Sequence, residues 1–182
     1  MPGFTLWLTG LSGAGKSTIS ALVAAELEER GLTVDLLDGD VVRTQLSRGL
    51  GFTRADRDTN IERIGWVASR LARAGAVVVV AAISPYTEAR RRARAMTEEF
   101  APFVEVWVST PIAVCIERDP KGLYARASAG ELAGMTGIDD PYELPQAPEI
   151  VVDTAGSNPH ESARQVLAAL EQRGLVPRAA AR

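Results

Sequence analysis

The run Gly10-Leu11-Ser12-Gly13-Ala14-Gly15-Lys16-Ser17-Thr18 has the residue types and spacing that hold phosphate groups. It fits G-x-x-x-x-G-K-[ST], in which glycines let backbone N–H groups turn inward with no Cβ in the way. The helix that follows presents its positive end to the same anion. Lys16 is expected to reach the β- and γ-phosphates of a nucleoside triphosphate, and the Ser17 hydroxyl to ligate its Mg²⁺. The flanking pattern, a β-rich run before and an amphipathic helix after, is the context this motif requires. It argues for nucleotide binding and leaves the reaction open.

Four more clusters carry polar chemistry. Asp38 and Asp40 leave a strand on a tight turn, with Arg43 one helical step beyond. Paired carboxylates beside a phosphate loop can order a metal's waters and accept a proton from an attacking hydroxyl, although Asp40 could equally cap the next helix. Phe52 precedes Arg57 and Asn60, which are three apart and can share one helical face. An aromatic beside a guanidinium and an amide suits a planar base with an attached anion. Taken alone, a core Phe with solvated arginines explains it as well. Ile83-Ser84-Pro85-Tyr86 closes another strand, with Arg90 one turn on; the rest of the run Arg90-Arg91-Arg92-Ala93-Arg94 reads as a solvated helix face. Arg118 and Lys121 are candidates to neutralise charge on a transferring phosphoryl group.

These clusters need elements to hold them. Strands are predicted at 4–9, 33–37, 76–83, 103–108 and 149–153. Helices are predicted after the phosphate loop and at 56–73, 87–100 and 111–118. The closing helix has Asn158 as cap, Pro159 at its first position, Glu161 three residues after the cap, and Gly174 at its end. Residues 119–148 are rich in Pro and Gly with little periodicity, which marks a lid or binding loop. Apolar strands alternating with helices imply a parallel sheet covered on both faces, with ligands beyond the carboxyl ends of the strands. Every polar cluster falls at such an end.

With 182 residues, the chain suffices for one α/β domain. Twenty basic against 23 acidic side chains give a net charge of −3. A broad nucleic-acid or anionic-membrane surface is therefore not expected, and an anionic ligand must be met by a local pocket. The single cysteine, Cys115, excludes an internal disulfide, fits a reducing cytoplasm and reads as a buried hydrophobe. No secretory signal is read, and the longest apolar run, 74–83, is too short to span a membrane.

Taken in order, Gly10–Thr18, Leu37-Asp38-Gly39-Asp40 with Arg43, Gly51-Phe52, Asp56-Arg57 with Asn60, Ile83-Ser84-Pro85-Tyr86, the 118–124 segment and the 136–143 segment resemble the adenylyl-sulfate kinase family. The resemblance covers about residues 6–154. It implies a three-layer P-loop NTPase fold: a five-stranded parallel sheet, helices on both faces and a lid at about 119–148, with residues 1–176 as one domain and 177–182 as a tail. It further implies transfer of the ATP γ-phosphoryl group, with Mg²⁺, to the 3′-hydroxyl of adenosine 5′-phosphosulfate (APS). Gly10–Thr18 and Arg118 would bind ATP, and Asp40 would act near the metal with Asp38 in support. Arg43, Arg57, Asn60 and Phe52 would hold APS. Ile83, Ser84, Met135, Gly137, Ile138 and the lid residue Lys121 complete the acceptor set.

The family's description also brings a phosphoserine at the position of Ser84. An unactivated hydroxyl needs a partnered base, and the only histidine, His160, lies in the closing segment, so Ser84 reads better as a pocket contact. Many members carry Phe where Met135 stands; methionine packs against a base more softly. Members often have an N-terminal extension whose contacts are expected to be missing here. Expected partners are ATP, APS, a second copy in a homodimer, and the ATP sulfurylase that makes APS. The rivals are another P-loop kinase of nucleotides or small metabolites, and a nucleotide-dependent switch. The first has no reason to carry Phe52 and Arg57 with the 136–143 segment, and no N-K-x-D guanine motif supports the second.

Overall fold

The structure is a computed structural model that describes residues 2–178. Five strands form one parallel sheet in the order β2-β3-β1-β4-β5: β1 (Phe4–Thr9), β2 (Val34–Asp38), β3 (Val77–Ala81), β4 (Phe103–Val108) and β5 (Ile150–Val152). The central strand β1 is buried throughout, and Leu6 pairs with Val79 on one side and Val104 on the other. Near-continuous Val, Leu and Ile suit strands covered on both faces. The edge strand β2 is more exposed and carries Asp35 and Asp38.

Strand residues of alternating direction feed two cores. On one side Leu6, Leu8, Val79 and Val106 meet α1 (Lys16–Glu29) and α7 (Pro159–Gln172). On the other, Trp7, Val78 and Val80 meet α3 (Arg54–Arg73) and α4 (Thr87–Glu98). The α3–α4 contact depends on Gly65, where an added Cβ would sit 2.8 Å from the Ala93 Cβ. The helix α7 opens on the expected cap: Asn158 and Glu161 exchange side chain–backbone bonds in a capping box.

Several expectations need correction. A short helix, α2 (Gly39–Gln45), follows β2 at once, and Asp38 caps it: its Oδ1 accepts the Asp40 N–H at 2.9 Å, so Asp40 is not the cap. Helix α3 begins two residues before the predicted start because Thr53 and Asp56 form a capping box. The 119–148 loop contains α6 (Leu123–Ser128), reached from α5 (Ile112–Arg118). Six residues are too few for periodicity, and its cap comes from further back, the Asp119 carboxylate accepting from the Tyr124 and Ala125 N–H groups. Arg94 is not solvated; it makes a two-pronged pair with Glu149, at 2.9 and 2.8 Å, from a strand edge remote in sequence. The tail expected at 177–182 lies largely outside the described residues. Among the described residues no helix is long and apolar enough to cross a membrane.

Candidate active site

A cavity of about 820 Å³ opens at the carboxyl end of the sheet. It joins the phosphate loop to residues from α2, α3, the end of β3 and the lid. Lys16, Arg43, Arg57, Arg118 and Lys121 line it against only Asp38 and Asp40, so the chain concentrates positive charge here despite its net −3. An anionic ligand is thus met by a local field in a partly desolvated recess.

The phosphate loop turns between β1 and α1. Gly10 packs so closely that an added Cβ would lie 2.6 Å from the Val108 carbonyl oxygen. Lys16 is buried and donates to the carbonyls of Gly10 and Leu11 at 3.0 and 2.8 Å. Burial, and secondarily the Lys121 charge, push its ammonium down to about 8. Beneath the loop, the hydroxyls of Thr110 and Thr154 both donate to the Ala14 carbonyl, each at 3.0 Å. Arg118 donates to the Thr154 hydroxyl and carbonyl at 2.8 and 2.7 Å, so the lid's base is tied to the same network.

Of the expected acidic pair, Asp38 meets Ser17 and Asp40 meets the lid. The Ser17 hydroxyl donates to Asp38 Oδ2 at 2.6 Å, so Asp38 both caps α2 and faces the loop. Asp40 is exposed, and Lys121 of the lid donates to its Oδ2 across the mouth of the cavity. Among the described residues, no group of three or more His, Cys, Asp or Glu gathers as a metal cage. The hydroxyl of Ser17 and the carboxylates of Asp38 and Asp40 are hard oxygen donors, which suits Mg²⁺ that arrives with a nucleotide and keeps several waters.

Opposite the loop lies a second recess. Arg57 and Asn60 are buried on one face of α3 and both line the cavity. Arg57 gives Nε to the Phe52 carbonyl at 2.8 Å, one terminal nitrogen to Thr136 Oγ1 at 2.6 Å, and the other to the Gly134 carbonyl. It therefore joins α3 to the lid as well as facing the recess. The Asn60 Oδ1 is buried with no partner in the protein, a costly arrangement unless a ligand supplies one. Phe52 projects, 63% exposed, beneath the Arg43 guanidinium at 4.5 Å, and Met135 packs at the wall, 6% exposed.

Ser84 sits at the end of β3 with φ 42°, a backbone conformation non-glycine residues rarely adopt. Its buried Oγ accepts from Trp7 Nε1 at 3.0 Å and donates to the Ala82 carbonyl at 3.3 Å; neither partner is a base. Ile83 lines the wall beside it.

Not every expected residue converges. Gly10 and Ala14 lie buried behind the loop. Leu11, Gly137 and Ile138 line a separate shallow depression with Tyr142 and Leu144, because the 136–140 turn folds over Leu11. Sequence reasoning missed Thr110 and Thr154, threonines far apart in the chain with no motif to mark them. It also missed Ser157 and Ser162 at the cavity's far end, where only a helix cap was legible. The Thr53–Asp56 capping box was readable from its [ST]-x-x-[DE] spacing.

A parallel sheet bearing a phosphate loop, a carboxylate pair at the next strand end and a cationic lid over a second recess define a P-loop kinase of a small acceptor. Residues 2–153 match the family model for adenylylsulphate kinase, and the chain belongs to that family. It is 53% identical to the adenylyl-sulfate kinase of Myxococcus xanthus over 98% of this chain and 97% of that one. A probable bifunctional SAT/APS kinase 2 from Sorangium cellulosum is 56% identical over 98% of this chain, which spans only 30% of that longer relative. Among solved structures, the Mycobacterium tuberculosis APS kinase CysC in complex with AMPPNP and APS superposes with a TM-score of 0.90. It is 44% identical, covering 93% of this chain and 98% of that one.

Proposed function

We infer that the protein transfers the γ-phosphoryl group of ATP to the 3′-hydroxyl of APS, giving ADP and 3′-phosphoadenosine 5′-phosphosulfate. The observation that carries this reading is the facing pair of recesses in one cavity: the phosphate loop with Lys16 and Ser17, and across from it Phe52, Arg57 and the unpartnered amide oxygen of Asn60. A planar adenine suits the Phe52 ring and the Met135 wall, and an acidic tail suits Arg43 and Arg57. The Asn60 oxygen offers an acceptor to a ligand N–H or O–H.

In the transfer, the acceptor's 3′-oxygen forms a bond to the γ-phosphorus as the bond to the β,γ-bridging oxygen breaks. The hydroxyl proton leaves toward Asp40 or water. Little covalent work falls to the protein; it positions the reactants and offsets charge. Lys16 and Lys121 supply positive charge to the transferring group, and Arg118 lines the ATP side. Ser17, with Asp38 and Asp40 nearby, would hold the magnesium that arrives with ATP, which would supply charge neutralisation at the phosphates. Ser84 serves as acceptor wall, since its hydroxyl is engaged at both ends and no base adjoins it.

The reading treats residues 1–176 as one kinase domain. A homodimer, a cytoplasmic setting and association with the APS-making sulfurylase belong to the same proposal; the single cysteine suits the second, and the sulfurylase link takes its cue from the bifunctional relative's name. A coupled assay of ADP release tests the activity with APS against AMP as acceptor. APS-dependent release with little from AMP is expected. Equal rates with both, or none with either, would overturn the assignment.

A further inference from the structure

We propose that Arg90, which lines no part of the cavity, is the positioning residue that sets the acceptor wall. Its guanidinium is only 4% exposed, and each of its three nitrogens has a protein partner. One terminal nitrogen donates to the Ser84 carbonyl at 2.7 Å. The other donates to the Glu143 carbonyl at 2.7 Å and to Thr87 Oγ1 at 3.3 Å. Nε lies 2.9 Å from Glu105 Oε1. One side chain thus ties the end of β3, the stem of the lid and β4 together.

The Ser84 bond matters most. A serine at φ 42° persists only where its surroundings over-determine it, and a buried carbonyl without a donor is costly. Arg90 supplies that donor, and a planar fork fixes two carbonyl directions at once where a lysine ammonium would fix one point. The wall formed by Ile83 and Ser84 and the lid stem at Glu143 therefore share one origin of position. Tyr142, next to Glu143, reinforces it: its hydroxyl bonds Thr9 Oγ1 at 2.9 Å, and Thr9 donates to the Ile83 carbonyl at 2.7 Å. Burial drives the Tyr142 phenol up to about 12, so this strut stays neutral across the working range. Among the described residues Arg90 bonds none of the phosphate loop directly and meets Thr9, which leads into it, only through the Ser84 carbonyl and Tyr142, so the larger effect should fall on the acceptor.

This inference rests on APS as the acceptor, and the experiment separates the two. Steady-state kinetics of wild type, Arg90→Lys and Glu105→Gln are measured with APS and ATP varied in turn, beside thermal melts. Arg90→Lys should raise KM for APS about tenfold, the scale of one lost charge-assisted hydrogen bond, with KM for ATP within about twofold. Glu105→Gln leaves the fork on Ser84 and Glu143, so it should lower Tm yet keep KM for APS within about twofold. If wild type shows no APS-dependent turnover, the functional reading fails. If wild type turns over APS but Arg90→Lys lowers only Tm, or shifts both KM values alike, Arg90 is merely structural. Should Arg90→Lys not fold, a Glu105→Gln enzyme with a raised KM for APS overturns the proposal by itself.

Discussion

The Ser17 hydroxyl donates to Asp38 Oδ2 at 2.6 Å, while the other oxygen of the same carboxylate caps α2. One side chain thereby couples the Ser17 end of the phosphate loop to the helix that carries Asp40 and Arg43. Asp38→Asn keeps a cap acceptor and should leave Tm nearly unchanged, because asparagine caps as well as aspartate. It removes a negative charge beside Ser17, and kcat should fall about 10²-fold with a raised Mg²⁺ requirement. Asp38→Ala should add a stability loss of about 1 kcal/mol. Melts and magnesium titrations of turnover check both.

The lowered Lys16 ammonium makes a pH prediction. Its folded pKa, about 8, lies below the 10.5 of the free side chain, so between these values the unfolded state holds more protons. The ligand-free protein should therefore gain stability from this group as pH rises from about 8 to 10.5. Lys16→Met, free of the buried charge, should lack that gain. Phosphate needs the charged form, so ATP affinity should fall as pH rises above about 8 in wild type and show no such step in Lys16→Met. Melts and calorimetric titrations across this range provide the check.

Arg57 lines the recess opposite the phosphate loop and also holds Thr136 and Gly134. Arg57→Ala should raise KM for APS by about 10²-fold, since a buried, charge-assisted partner is lost. It should also speed amide hydrogen exchange in the 133–137 stretch of the lid. An unchanged KM for APS would remove Arg57 from the acceptor site, and unchanged exchange would remove it from the lid.

Met135 is buried at the cavity wall. Met135→Phe should tighten APS binding by about 0.5–1.5 kcal/mol through a second aromatic face on the adenine. Calorimetry with APS should show it, and an unaltered Kd would mean the base does not reach this wall.

Much of this was legible because it is local. The phosphate loop, the Asn158–Glu161 box and the apolar strands depend on neighbours within a few residues, and each stands where its pattern predicts. The lid helix α6 was hidden because its capping carboxylate, Asp119, precedes it by several residues. Arg94 reads as solvated until β4 and β5 bring Glu105 and Glu149 beneath it. Gly137 and Ile138 follow Met135 and Thr136 of the cavity wall, yet the turn sends them toward Leu11.

By itself the sequence determined the parallel α/β class, the phosphate-loop motif and the family, because short-range spacing specifies backbone conformation and hydrophobic period. Only the tertiary structure decided which hydrogen-bonding groups are free to meet a ligand. Arg90 spends its nitrogens on Ser84, Glu143, Thr87 and Glu105, whereas Asn60 keeps an oxygen unmatched. Hydrogen-bond capacity is allotted among groups that folding brings together from distant parts of the chain, and no local pattern records that allotment.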